Sequence, residues 1–214
     1  RIDSARSATR SCVASEVACH AVTLVASTPP CRVVTMLELR ATSLADTYAI
    51  AAALAGLCRP GDLIVLSGEM GAGKTAFAKG FGAALGVTEP ITSPTFTLVH
   101  TYDIAPDLGH GAKALHHADL YRLDRTAEIA DLALEELAEY QGIVLVEWGD
   151  VADALFGDHL EVHLEPDLFD DGVGDDDVFD GVGDGVRSIE ISASGANWAP
   201  RWSRLVEACE EFRC

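Results

Sequence analysis

No apolar run in this chain approaches the roughly 18 residues that a membrane-spanning helix needs, so no membrane span is expected. Basic residues are scarce: 15 Lys and Arg stand against 34 Asp and Glu, for a formal net charge of -19 and a pI near 4.5. A broad cationic surface for wrapping nucleic acid is therefore excluded, and no direct DNA binding is expected. Paired cysteines are missing too. Cys12, Cys19, Cys31, Cys58, Cys209 and Cys214 form no C-x-x-C and have no His at zinc-finger spacing. A chain of 214 residues, 49% of them hydrophobic, can bury its own core without a disulfide framework. Reduced thiols in the cytoplasm are expected, with Cys58 packed near a helix end.

What is present divides into an extension, an ordered body and an insert. Residues 1–35 show no period and are read as a disordered extension without a functional part; the stretch is Ser-, Ala- and Arg-rich, as transit peptides are, but the first Met is Met36. The ordered domain is expected over 36–198, with 199–214 as a closing helix or tail. Leu37 and Leu39 predict a short strand, and Ser43 an N-cap for a helix bearing Leu44, Tyr48, Ala51, Ala52 and Ala55. Arg59-Pro60-Gly61 turns the chain, and Leu63 to Leu66 predicts a strand buried on both faces. A helix ending at Gly86 follows. Two strands, in ITSPTFTLVHTYD and ALHHADLYRL, are expected to pair antiparallel because their connection is short. TAEIADLALEELAEY predicts one helix, GIVLVEW a buried strand, and HLEVHLE and RSIEISASG alternating strands. Between the last two lies an acidic segment, 166–186, rich in Asp and Gly and free of Lys and Arg. It lacks the EF-hand order of ligands and reads as a solvated low-complexity loop.

The chemistry centres on GEMGAGKT, Gly68 to Thr75, which fits G-x-x-x-x-G-K-[ST] between a strand and a helix. Gly68, Gly71 and Gly73 let the backbone curl so that successive amides face phosphate oxygens. The helix N-terminus near Lys74 adds its partial positive charge. Lys74 is expected to reach the β- and γ-phosphates and Thr75 to hold magnesium. The only Asn is Asn197, so the Asn-Lys-x-Asp guanine reader is missing and ATP is the expected nucleotide. Two acids close strands, Asp119 and Glu147, and are candidates for holding the metal or its water. SPTFT, Ser93 to Thr97, supplies hydroxyls where switch segments sense a γ-phosphate. His116 and His117 point to opposite faces of their strand and are read as structural, His117 nearer the site because it shares a side with Asp119.

Together, GEMGAGKT, SPTFTLVHTYD, HHADLYRL and LVEWGD resemble the TsaE (YjeE) family, ATPases of tRNA threonylcarbamoyladenosine modification, over about Leu37 to Ser194. Met70 stands where the family commonly has Leu, and Phe96 where it has Tyr. The resemblance implies a single-domain α/β phosphate-loop fold with a mixed sheet containing antiparallel strands and flanked by helices. It implies that Gly68, Glu69, Met70, Gly71, Ala72, Gly73, Lys74, Thr75 and Ala76 enclose the phosphates of ATP. Ser43 and Thr47 would approach the adenine, and Thr95 and Trp148 would lie beside the nucleotide. Lys74, Asp119 and Glu147 would serve hydrolysis, with Thr75 and Glu147 holding Mg2+. It implies a weak ATPase dependent on TsaD and TsaB, reaching tRNA only through them and not itself transferring the threonylcarbamoyl group.

Two other readings remain. A small-molecule kinase would use the same loop but needs a lid of arginines, and only Arg122 and Arg125 lie between the loop and Glu147. A nucleotide-sensing adaptor without catalysis would require Glu147 or Asp119 to lie out of reach of the metal.

Overall fold

The computed structural model describes residues 35–94, 97–121, 123, 126–148, 156–166 and 185–214. The proposed extension, apart from Thr35, and residues 167–184 of the acidic segment lie outside them, as do Thr95, Arg122 and Arg125. In chain order the elements are β1 (Thr35–Ala41), α1 (Leu44–Ala55), β2 (Leu63–Ser67), α2 (Lys74–Ala84), β3 (Val99–Asp103) and β4 (Ala114–Asp119). There follow α3 (Thr126–Ala130), α4 (Leu134–Glu139), β5 (Gly142–Glu147), β6 (His159–Pro166), β7 (Arg187–Ser194) and α5 (Trp202–Ala208).

The strands form one seven-stranded sheet in the order β1-β7-β6-β2-β5-β4-β3. The central strands β2, β5, β4 and β6 run parallel, while β1 with β7, β6 with β7 and β3 with β4 pair antiparallel. This is the mixed sheet flanked by helices that the sequence led us to expect. β2 and β5 are buried at every position because helices cover both their faces. One face carries Leu39, Ile64, Leu66, Leu145, Val162 and Ile191 against α1, α2 and α5. The other buries Leu63, Val65, Val144 and Val146 against Ile129, Leu134 and Ala138 of α3 and α4.

Local chemistry explains the helix limits. Ser43 Oγ accepts from the Asp46 amide at 3.1 Å and caps α1 as the sequence suggests. At the other end of α2, the Val87 amide bonds Gly82 O and the Gly86 amide bonds Ala83 O, both at 3.0 Å, with Gly86 at φ 74. That is a glycine-terminated Schellman end. α1 and α2 pack closely at Gly80, where a Cβ would lie 2.8 Å from Tyr48 Cα.

Two expectations are corrected. TAEIADLALEELAEY is not one helix: it breaks at Ala133, whose φ is 49, into α3 and α4. On a continuous helix Leu134 would be about 140° around the axis from Ile129. The break lets both side chains enter the same buried cluster. The strand expected through ALHHADLYRL ends at Asp119, and the Leu123 amide bonds Leu120 O at 2.9 Å in a turn.

The chain after β7 is part of the core. Trp198, Leu205 and Cys209 are buried, and Arg201 is stapled to the start of β2 through Asp62. Cys58 is buried beside that pair, just past the end of α1, and burial pushes its thiol well above the ordinary range.

Candidate functional site

The carboxyl ends of β2, β4 and β5 meet on one edge of the sheet, where open α/β sheets bind ligands. Each ends in a polar residue buried there: Ser67, Asp119 and Glu147. The register sets Asp119 opposite Glu147 and Leu66 beside it. Side chains alternate across a strand, so His117, Asp119 and Glu147 share the face on which α2 lies.

The loop from Gly68 to Thr75 rises from β2 and turns into α2. Gly68, Gly71 and Gly73 have φ of 125, 84 and 102, values that glycine adopts without strain. Two of these positions are also crowded. A Cβ on Gly68 would lie 2.1 Å from Leu164 O of β6, and one on Gly73 would lie 2.2 Å from Nη1 of Arg187. Lys74 is buried, and its ammonium donates to Gly68 O at 2.7 Å and Glu69 O at 2.8 Å. The same nitrogen lies 3.6 Å from the centroid of the Trp148 ring, a cation–π contact. Trp148 has φ 61 and in turn packs on Tyr121, with 4.8 Å between ring centroids. A non-glycine residue in that region is a strain that the surroundings must hold.

Two acid chains lie below the loop. Thr75 Oγ1 donates to Glu147 Oε2 at 3.0 Å, and His117 Nε2 contacts Oε1 of the same carboxylate at 2.9 Å. Asp119 accepts from Ser93 Oγ through Oδ2 at 2.5 Å and from the Tyr121 amide through Oδ1 at 3.0 Å. Thr75 and Glu147 thus bring together two hard oxygen donors of the kind Mg2+ prefers, beside a loop whose curl could hold phosphates. The residues fit the metal and nucleotide.

Glu69 and Met70 form the exposed loop tip, Met70 at 70% exposure, while Ala72 and Ala76 are buried beneath it. Ser43 and Thr47 begin α1, with the Thr47 hydroxyl turned onto Ser43 O at 3.3 Å. The antiparallel register pairs Ala41, two residues before Ser43, with Arg187, which itself packs on Gly73. Thr95 is outside the described residues.

Three further side chains meet the expected site residues. Ser93 belongs to the hydroxyl-bearing SPTFT segment, and its Oγ is the one that meets Asp119. His117, which strand alternation places on the Asp119 side, meets the Glu147 carboxylate there. Arg187 had no signal at all, because its approach to Gly73 follows from β7 inserting between β1 and β6. A further network, Ser67 Oγ to Glu161 Oε1 and His163 Nδ1, both 2.9 Å, ties the end of β2 to β6.

Fold and loop define an α/β phosphate-loop nucleotide-binding protein. The family model described as threonylcarbamoyl adenosine biosynthesis protein TsaE matches residues 41–170. The chain is 36% identical over 177 residues to the tRNA threonylcarbamoyladenosine biosynthesis protein TsaE of Bacillus subtilis, covering 82% of this chain and 93% of that one. The Streptomyces coelicolor protein of the same name is 38% identical over 148 residues, 68% of this chain and 89% of its own. The crystal structure of Bacillus subtilis YdiB superposes with a TM-score of 0.58 at 30% identity, covering 83% of this chain and 96% of that one. The chain belongs to the TsaE family.

Proposed function

We propose that this protein binds ATP with Mg2+ and hydrolyses it to support turnover of a TsaD–TsaB complex in threonylcarbamoyladenosine modification of tRNA. The observation that carries the hydrolytic part is the pairing of Thr75 with Glu147 at 3.0 Å under a phosphate loop. Family membership and the relatives' names support the tRNA-modification part.

In this reading Gly68 to Ala76 wrap the phosphates, their amides and the α2 N-terminus meeting the negative charge. Lys74 exchanges its carbonyl partners for phosphate oxygens, and Trp148 lies against the nucleotide. Ser43 and Thr47 line the adenine side. When bound, Mg2+ neutralises charge on the phosphates. Thr75 and Glu147 would hold it, while Asp119, fixed by Ser93 and the Tyr121 amide, would orient the attacking water. The acidic charge suits a protein that leaves tRNA to its partners. Among the described residues no helix is long and apolar enough to cross a membrane, which is compatible with the cytoplasmic location we propose.

Two variants test the site. Lys74→Ala is expected to abolish nucleotide binding. Glu147→Ala is expected to lower magnesium-dependent hydrolysis far more than nucleotide affinity, and equal loss of both would count against its role.

A further inference from the structure

His117 is fully buried, yet only one of its ring nitrogens is used. Nε2 meets Glu147 Oε1 at 2.9 Å, while Nδ1 has no hydrogen-bond partner among the described residues. A carboxylate only accepts, so Nε2 presents its N–H to Glu147, while Nδ1 is a buried polar atom with no partner among the described residues. Leaving such an atom unpaired in the core is unfavourable, and a leucine like Leu115, two residues earlier on the same face, would line this wall without that penalty. Packing alone does not account for an imidazole here. The contact instead divides the carboxylate: Oε1 is taken by His117 and Oε2 is left facing the Thr75 hydroxyl. His116, the next residue, points to the opposite face and bonds Thr101 Oγ1 at 2.9 Å.

We propose that His117 is a positioning residue that pins the Glu147 carboxylate through Nε2–H, so that Oε2 is presented with Thr75 to a divalent cation. The inference rests on the nucleotide–metal reading of the site given above. It deepens that reading by naming the group that sets the geometry of the metal ligand. Such outer contacts fix the rotamer of a ligand and raise its affinity for the ion.

The test uses the full chain and Mn2+, whose free form is counted by electron paramagnetic resonance in the presence of ADP. A fluorescent nucleotide measures affinity separately in EDTA. His117→Leu is expected to weaken Mn2+ binding about 10- to 100-fold. Nucleotide affinity in EDTA is expected to stay unchanged. His117→Gln, which keeps an N–H donor, is expected to recover part of the loss, and His116→Gln to leave Mn2+ binding as it is. Unchanged Mn2+ binding in His117→Leu, or an equal loss of metal-free nucleotide affinity, would overturn the proposal. If His117→Leu does not fold, His117→Gln decides: a partial loss confined to Mn2+ supports the role and no loss overturns it. A wild-type protein that takes up no Mn2+ with nucleotide overturns the site reading itself, and this proposal with it.

Discussion

Alanine placed at each glycine of the phosphate loop is expected to destabilise the protein in a graded order, Gly71 least, Gly73 more, Gly68 most. All three have left-handed φ, so each substitution pays the same kind of backbone strain, about 1–2 kcal/mol. At Gly71 that is the whole effect, because nothing lies within 4 Å of the new Cβ. At Gly73 the Cβ would lie 2.2 Å from Arg187 Nη1, so the guanidinium must move. Its Nη2–H bond to Gly185 O, 3.2 Å, is put at risk by that movement. Losing one such bond adds about 1 kcal/mol. At Gly68 the obstacle is the Leu164 carbonyl, 2.1 Å away, in a strand paired on both sides. Backbone cannot swing aside, and overpacking adds about 1–3 kcal/mol, for a total of about 2–5 kcal/mol. Urea denaturation of the full chain reads these differences directly, and each kcal/mol lowers the melting temperature by about 2–4 °C for a protein of this size. Gly68→Ala as stable as Gly71→Ala would refute the reasoning, since it would mean that β6 does not confine the loop.

Other outcomes follow from buried charges. Arg201 grips Asp62 in a two-point ion pair and also donates to Leu57 O at 3.0 Å and Asn197 O at 3.1 Å. Arg201→Leu strands the carboxylate and is expected to cost about 3–5 kcal/mol in urea denaturation, most of it restored in the double variant with Asp62→Leu. Burial lowers the His116 imidazole below its ordinary value of 6.5. Between that lowered value and 6.5 the unfolded chain binds the extra proton, so stability present above pH 6.5 is lost as pH falls through this window. His116→Gln should flatten that slope in a stability–pH profile.

Most of the fold was legible where a local rule decides. Strand β2 reads from its unbroken apolar run, α1 from Ser43, the end of α2 from Gly86, and the antiparallel β3–β4 pair from a short connection. The break at Ala133 was not legible, because it answers to the sheet surface that Ile129 and Leu134 both cover. The phosphate loop and the two acids were read from motif and strand ends. What surrounds them was not. Ser93 reaches Asp119, and Arg187 reaches Gly73, across distances in sequence that only the sheet order closes.

The central claim is that nucleotide turnover here serves a partner complex in tRNA modification. Measuring ATP hydrolysis by the full chain alone, and then with purified TsaD and TsaB, tests it most directly. Weak turnover alone that rises on adding both partners, and vanishes in Lys74→Ala, is the predicted result. No stimulation by the partners, together with phosphate transfer to a small acceptor, would contradict it.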